Sequence, residues 1–153
     1  MSKAPKLRVR HAGVIVLGRF SQSHGGGNLF VLNSLAKNGL TLPVQQCSSK
    51  TFVAKRFFVI RDVARAKAKR ANHAHRTTSE AVFCINGSCA IHLDDGSTKQ
   101  TIGLHDPAIG IVHGPGLWHA ISDFSKDCVL LVLADTPTYD RAEYIYDYEE
   151  FLR

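Results

Sequence analysis

The chain has 153 residues, 44% hydrophobic and 21% charged, a balance typical of one soluble globular domain. The start of the chain is polar and basic, and its apolar runs are far shorter than the ~20 residues of a membrane helix. These features indicate neither export nor membrane insertion, so we expect a cytoplasmic protein with no membrane partner. Its four cysteines form no CxxC pair, which argues against zinc fingers and a disulfide-stapled fold.

The first 38 residues carry the weakest structural signal. The segments GVIVLGRF (13–20) and NLFVLN (28–33) are rich in residues that favour strands, and they flank the glycine-rich segment 21–27. We expect both segments to be strands of a single domain that spans residues 1–153.

Five segments of the remaining chain predict short β-strands, because β-branched and aromatic residues recur between turn residues. They are 55–60, 81–85, 88–93, 108–113 and 128–134. Asn86-Gly87 predicts a two-residue type I′ hairpin with Cys84 opposite Cys89, and Asp95-Gly96 predicts a second hairpin. Regular spacing of this kind is typical of a β-sandwich or barrel.

The C-terminal segment predicts a helix. Apolar residues recur at helical spacing from Tyr144 to Leu152, while Asp140 and Glu143 have the spacing of an N-terminal capping box. We expect this helix to pack on the outside of the sheet.

Positive charge is concentrated in segment 61–76, which holds six Lys or Arg residues and one Asp in a chain of net charge +6. Such a run is either a solvated loop or a segment that attracts an anionic ligand such as a phosphate. The run lacks the interleaved aromatic residues of nucleic-acid-binding proteins, so no nucleic acid is expected as a partner.

Two histidines, His73 and His75, stand one residue apart just before the predicted strand 81–85. If they lie in a strand, their side chains point to the same face, because faces alternate along a strand. Together with Glu80 and Gly87 they have the spacing of the first cupin motif, and segment 114–119 (GPGLWH) resembles the second with a proline-to-histidine spacing one residue shorter. We therefore expect an all-β cupin, a jelly-roll β-barrel, with a short C-terminal α-helix.

From Lys55 onward the chain resembles the dTDP-4-keto-6-deoxyglucose 3,4-ketoisomerases, which are RmlC-like cupins. The segments that carry the resemblance are KRFFVIRD, HAH, CINGSCAIHLDDG, GPGLWH, SDFSKDCVLLVLA and YDRAEYIYDYEEFL. The resemblance implies a metal-free isomerase without a cofactor that acts on a dTDP-linked 4-keto sugar in deoxysugar biosynthesis. It also implies a homodimer with exchanged N-terminal strands.

The same resemblance implies roles for five residues. His73 is the expected base that removes the C3 proton and His75 its partner for the second proton, roles that suit a side chain titrating near neutrality. Arg70 is expected to bind phosphate or the developing enediolate charge. Trp118 and His119 are expected to contact the substrate, the alternative for Trp118 being to fill the barrel mouth.

Two departures from the family pattern keep other functions open. Phe57 and Phe58 stand where the family's strand often carries a tyrosine, which favours a non-catalytic sugar-nucleotide-binding cupin. Asn38 stands in place of an arginine, so the nucleotide and the sugar stay open.

A metal-dependent cupin oxygenase or isomerase is a further alternative. Its expected ligands are three histidines and one glutamate, a donor set that suits Fe, Mn, Ni or Zn. They are His73, His75, Glu80 and His119.

Overall fold

The computed structural model describes residues 3–21, 28–31, 40–49, 51–63 and 68–153. The strands are β1 (Ala12–Val16), β2 (Gly18–Ser21), β3 (Asn28–Val31), β4 (Leu40–Pro43), β5 (Thr51–Ala54), β6 (Arg56–Ile60), β7 (Arg70–His75), β8 (Glu80–Asn86), β9 (Cys89–Asp94), β10 (Lys99–Leu104), β11 (Ile109–His113), β12 (Trp118–Ser122), β13 (Val129–Ala134) and β14 (Tyr144–Ile145). A 3₁₀ helix covers Arg141–Glu143, and α1 covers Tyr148–Phe151.

Two five-stranded antiparallel sheets form the barrel. Their strand orders are β1-β11-β8-β13-β6 and β10-β9-β12-β7-β14, so most neighbours in a sheet are distant in the chain. Inward side chains of both sheets, including Val82, Ile111, Ile91 and Leu93, form one buried cluster between them. This arrangement confirms the predicted all-β cupin jelly roll with a short C-terminal helix.

A second buried cluster covers the outer face of the first sheet. The hairpin of β4 and β5 contributes Leu42 and Phe52, which pack with Phe83 and Val112 of β8 and β11. The alternate residues of β8 and β11 face the barrel interior. Since both faces of β8 and β11 are covered, each strand carries apolar side chains on both faces.

The predicted strands correspond to observed ones, and the structure adds others. Segments 55–60, 81–85, 88–93, 108–113 and 128–134 contain β6, β8, β9, β11 and β13. Segment 13–20 is divided between β1 and β2, which belong to different sheets, and β2 pairs with β3. Residues 22–27 of the glycine-rich segment and Asn38 lie outside the described residues.

The Asn86-Gly87 turn connects the two sheets, so the predicted hairpin is wrong. Strand β8 pairs with β11 and β13, whereas β9 pairs with β10 and β12. Gly87 has a φ of 69° but Asn86 is not left-handed, and a type I′ turn needs positive φ at both positions. A Cβ atom on Gly87 would lie 2.3 Å from Oγ of Ser125, so this close approach requires glycine.

Three cysteines meet in the core beneath this turn. Cys84 and Cys89 come from facing sheets rather than from paired strands, and with Cys128 they place their sulfur atoms within 4.8 Å of one another. All three are free thiols. The two cysteines of the predicted pair are thus brought together by packing of the sheets and not by a hairpin.

The predicted hairpin at Asp95-Gly96 is confirmed, with a four-residue loop between β9 and β10. The carboxylate of Asp95 accepts hydrogen bonds from the backbone N–H groups of Arg10, Ser97 and Thr98 at 2.7, 2.9 and 2.9 Å. Burial alone would raise the pKa of Asp95, but these donors, that of Arg10 foremost, lower it to about 2.

The predicted short C-terminal helix is present as the single turn α1, whereas the helical periodicity read from Tyr144 is wrong for its first residues, since Tyr144–Ile145 form β14. Asp140 does act as an N-cap, but of the 3₁₀ helix, and Asp147 caps α1. Between them β14 pairs with the edge of β7, which replaces helical hydrogen bonds with sheet hydrogen bonds. No helix in the described part of the chain is long and apolar enough to span a membrane.

Candidate active site

Strand β7 carries both predicted histidines into the barrel. The ring centroids of His73 and His75 lie 4.9 Å apart, which confirms that the two side chains share a face. Ala71 and Asn72 adopt φ values of 60° and 62°, and the register of β7 against β12 shifts beside them. Such a bulge re-aims the side chains that follow it.

The sheet registers bring four further polar residues to the same place. His119 of β12 pairs with His73, and Tyr144 of β14 pairs with His75. On the facing sheet His113 of β11 pairs with Glu80 of β8. Residues from five strands thus meet at one end of the barrel interior.

Four of these residues form a compact buried cluster, which we call the tetrad. The tetrad is His75, Glu80, His113 and His119, whose ligand atoms all lie within 4.8 Å of one another. Oε2 of Glu80 is 3.5 Å from Nε2 of His75 and 3.7 Å from Nε2 of His113. The structure therefore groups His113, rather than the expected His73, with the other three candidate metal ligands.

Burial favours the neutral imidazoles of His73, His113 and His119 beside the Glu80 carboxylate. Burial, reinforced by His75, lowers the pKa of His73 to about 4. Burial likewise lowers the pKa of His113 to about 4 and that of His119 well below its usual value. Burial opposes ionisation of Glu80, but the neighbouring histidines, His75 foremost, hold its pKa below the usual value.

A cavity of about 150 Å³ opens in front of the tetrad. Its polar lining consists of His73, Glu80, His113, His119 and Tyr144. The other walls are apolar and come from both sheets: Phe58, Ile60, Ala71, Val82, Ile121 and Val132. His73 is only partly buried, whereas the tetrad histidines are 0–1% exposed, so His73 is the imidazole best placed to reach a ligand.

Tyr144 supplies the hydroxyl that β6 lacks. Phe58 lines the cavity and Phe57 is 71% exposed. Neither phenyl ring carries a hydrogen-bond donor. The Tyr144 ring centroid lies 4.7 Å from that of His73 and 4.7 Å from that of His75. Burial, with a contribution from the charge of Glu80, raises the pKa of Tyr144 to about 12, which keeps its phenol protonated at neutral pH.

Arg56 is a second residue that the sequence analysis missed. It lies on β6 two and four residues before Phe58 and Ile60, which line the cavity, so it shares their face of the strand. Its Nε is buried without a hydrogen-bond partner among the described residues, and its guanidinium carbon is 5.8 Å from the Phe58 ring centroid. Strand alternation in KRFFVI is the signal that could have revealed it.

The remaining predicted residues lie away from the cavity lining. Trp118 packs outside the barrel, with ring centroids 5.1 Å from Tyr148 and 5.6 Å from Phe151, because its neighbour His119 faces inward. Packing against α1 thus accounts for Trp118 without a ligand. Arg70 is exposed at the start of β7, next to Ala71 of the cavity wall.

Comparison with known proteins identifies the family. Residues 29–153 match the model of the FdtA family, described as WxcM-like, C-terminal. The chain belongs to the FdtA family. A TDP-4-oxo-6-deoxy-alpha-D-glucose-3,4-oxoisomerase from Aneurinibacillus thermoaerophilus is 39% identical to it over 113 residues, which cover 74% of this chain and 80% of the relative.

Solved structures extend the similarity over nearly the whole chain. The TDP-fucose-3,4-ketoisomerase WlaRA from Campylobacter jejuni is 33% identical, with a TM-score of 0.73 and coverage of 92% of this chain and 93% of WlaRA. The 3,4-ketoisomerase QdtA from Thermoanaerobacterium thermosaccharolyticum is 26% identical, with a TM-score of 0.78 and coverage of 95% and 94%. That QdtA structure is a histidine-to-asparagine variant in complex with TDP-4-keto-6-deoxyglucose. The predicted membership of the 3,4-ketoisomerases is confirmed.

Proposed function

We propose that this FdtA-family protein moves the ketone of a TDP-linked 4-keto-6-deoxyhexose from C4 to C3. Its relatives make it a sugar 3,4-ketoisomerase. The observation that carries a catalytic role is the arrangement at the cavity, where a partly buried neutral imidazole, His73, lies beside a protonated phenol, Tyr144. A base and an acid at one small cavity are what the reaction needs.

His73 acts as the base that removes the C3 proton. Its neutral form dominates at neutral pH because its pKa is lowered to about 4, so it can accept a proton. The same burial makes the imidazolium costly, so His73 holds the proton weakly and returns it to C4. His75, in contact with His73 and with Glu80, orients the base.

Tyr144 handles the proton on oxygen. When the C3–H bond breaks, the electron pair forms the C3–C4 double bond and charge moves to the C4 oxygen, which takes the phenol proton. The resulting enediol loses its O3 proton to the phenolate while C4 takes the proton from His73, and the C3 ketone forms. Both side chains end the cycle in their starting states, so the step needs no external reductant, oxidant or proton donor.

The size of the cavity indicates which part of the substrate it takes. Pockets that enclose a drug-sized ligand have volumes of roughly 300–1,000 Å³. The 150 Å³ in front of the tetrad suits the hexose alone, which leaves the nucleotide outside. The guanidinium groups of Arg56 beside the cavity and Arg70 near its wall are suited to the diphosphate.

We further propose that the enzyme is a homodimer of the cytoplasm. Among the described strands β6 lies at the edge of its sheet, where Phe57 and Val59 are 71% and 49% exposed. An apolar sheet edge invites pairing with another chain, and a second copy would cover it. The free thiols suit a reducing compartment.

NMR of dTDP-4-keto-6-deoxyglucose in deuterated water tests the proposed reaction. We expect the C3 proton signal to disappear and 3-keto product to accumulate. A folded protein that binds TDP but leaves the sugar unchanged would instead be a non-catalytic binder. The missing tyrosine of β6, which favoured that alternative, is offset by Tyr144 in the cavity.

A further inference from the structure

Tyr144, the phenol at the cavity, lies on the shortest of the described strands. Strand β14 consists of Tyr144 and Ile145, lies at the edge of its sheet among the described strands, and pairs with His75 and Ala74 of β7. An edge strand of two residues forms few backbone hydrogen bonds, and such a segment separates readily from its sheet unless other contacts hold it. The residues that flank β14 therefore decide where the phenol lies.

Glu143, which directly precedes Tyr144, is anchored by hydrogen bonds to one oxygen of its carboxylate. Its Oε2 accepts from the backbone N–H groups of Thr77 and Thr78 at 3.0 and 3.1 Å, and from their hydroxyl groups at 2.6 and 3.2 Å. The backbone carbonyl of Glu143 accepts from the N–H of Arg76 at 2.8 Å. The Thr77 hydroxyl and the other donors hold the pKa of Glu143 below its usual value, so the side chain is charged at neutral pH.

The partners of Glu143 differ from those that its spacing predicts. In a capping box the glutamate reaches back to the backbone N–H of the N-cap residue. Here Asp140 caps the 3₁₀ helix, whereas the carboxylate of Glu143 bonds to the turn between β7 and β8. That turn connects His75, the last residue of β7, to Glu80, the first residue of β8. The carboxylate thus joins the segment that carries the phenol to the strands that carry the histidine pair and Glu80.

We propose that Glu143 is a positioning residue that holds the phenol of Tyr144 beside His73. The inference rests on the proposed function, in which His73 is the base and Tyr144 the acid. Glu143 itself does not line the cavity, so it acts through Tyr144 and not on the sugar. Hydrogen bonds to an ionised acceptor are roughly twice as strong as neutral ones. A misplacement of about 1 Å in a reacting group can cost roughly 10²-fold in rate.

An ion pair further along the same segment provides the matched control. The carboxylate of Glu150 bonds to the guanidinium of Arg76, and both side chains are half-exposed. Glu150 lies in α1, which follows β14, and it does not adjoin Tyr144 in the chain. Exposed ion pairs contribute little to stability. Glu150→Gln therefore removes a carboxylate from the C-terminal segment and leaves the anchor of Tyr144 in place.

NMR of the full-length protein without substrate measures the position of the phenol. The ring centroids of Tyr144 and His73 lie 4.7 Å apart, so the ring current of Tyr144 shifts the imidazole proton resonances of His73. These resonances are assigned by their loss in His73→Asn, and Tyr144→Leu gives their positions without the ring. We expect Glu143→Ala to move them toward the Tyr144→Leu positions and Glu150→Gln to leave them unchanged. Unmoved resonances in a folded Glu143→Ala protein would overturn the inference.

Kinetics test whether this position matters for the reaction. Glu143→Ala should lower kcat about 10–100-fold. Its affinity for TDP, measured by calorimetry, should stay within about threefold of wild type, because the carboxylate lies away from the cavity lining. In a Tyr144→Phe background the same change should lower kcat less than about threefold, since no phenol remains to be positioned. Equal losses in the two backgrounds would show an effect that does not pass through Tyr144 and would overturn the inference.

Thr77→Val keeps the inference testable if Glu143→Ala does not fold. It removes the hydroxyl of the 2.6 Å hydrogen bond from an exposed residue and leaves the backbone donors in place. It should lower kcat about 3–10-fold and move the His73 resonances in the same direction. Wild-type values for both would overturn the inference.

Failure of the proposed function is seen separately. Wild-type protein that forms no 3-keto product counts against the isomerase reaction, whereas the His73 resonances report the position of the phenol without turnover.

Discussion

Replacing His73 with asparagine should abolish most of the isomerase activity while leaving the protein folded. Asparagine keeps a polar group of similar reach but cannot take up a proton. The two nearest imidazoles, of His75 and His119, have centroids 4.9 and 4.6 Å away and are 1% exposed, so neither can replace the lost base at the substrate. General base catalysis contributes about 10²–10⁴-fold, so kcat should fall by that factor, which is about 3–5 kcal/mol in activation free energy.

The assay follows the C3 proton and the 3-keto product by NMR in deuterated water, with Tm measured in parallel. His92→Asn is the control, because His92 bonds to Thr101 and Ser122 away from the cavity lining. It should retain wild-type kcat. A folded His73→Asn protein with kcat within tenfold of wild type would refute the assignment of His73 as the base.

Three further variants test separate parts of the structure. Tyr144→Phe should lower kcat about 10²–10³-fold, the usual effect of removing a donor to a developing oxyanion, whereas the exposed Tyr139→Phe should not; equal rates for both would exclude the phenol from the reaction. Arg70→Ala should weaken TDP binding measured by calorimetry, and rising salt should weaken wild-type binding; unchanged affinity would make the basic run a solvated loop. Asp95→Asn should lower the free energy of unfolding at pH 7 by about 1–2 kcal/mol. Because the pKa of Asp95 is lowered to about 2 on folding, that difference should shrink as pH falls from about 4 to 2 in urea titrations, and a pH-independent difference would contradict the ion-based explanation.

Local sequence was sufficient for strands β6, β8, β9, β11 and β13 and for the shared face of two histidines. The alternation of side chains along a strand depends only on the backbone of that strand, so the positions of His73 and His75 follow from their separation of two residues. The same alternation would have placed Arg56 on the strand face of Phe58 and Ile60. It would also have placed Trp118 on the opposite face of its strand from His119. Turn chemistry located Asp95-Gly96 for the same reason, because a four-residue loop is a local structure.

Pairing between distant strands decided the rest of the site. His113 meets Glu80 through the register of β11 on β8, and Tyr144 meets His75 because β14 pairs with the edge of β7. Neither register is encoded near the residues that it joins. Hydrogen bonding to that edge also overrode the helical periodicity of the C-terminal segment. At Asn86-Gly87 the flanking strands were identified correctly, but their separate partners placed them in different sheets. Tertiary structure therefore decided which polar side chains share the cavity, since sheet registers depend on the packing of the whole barrel.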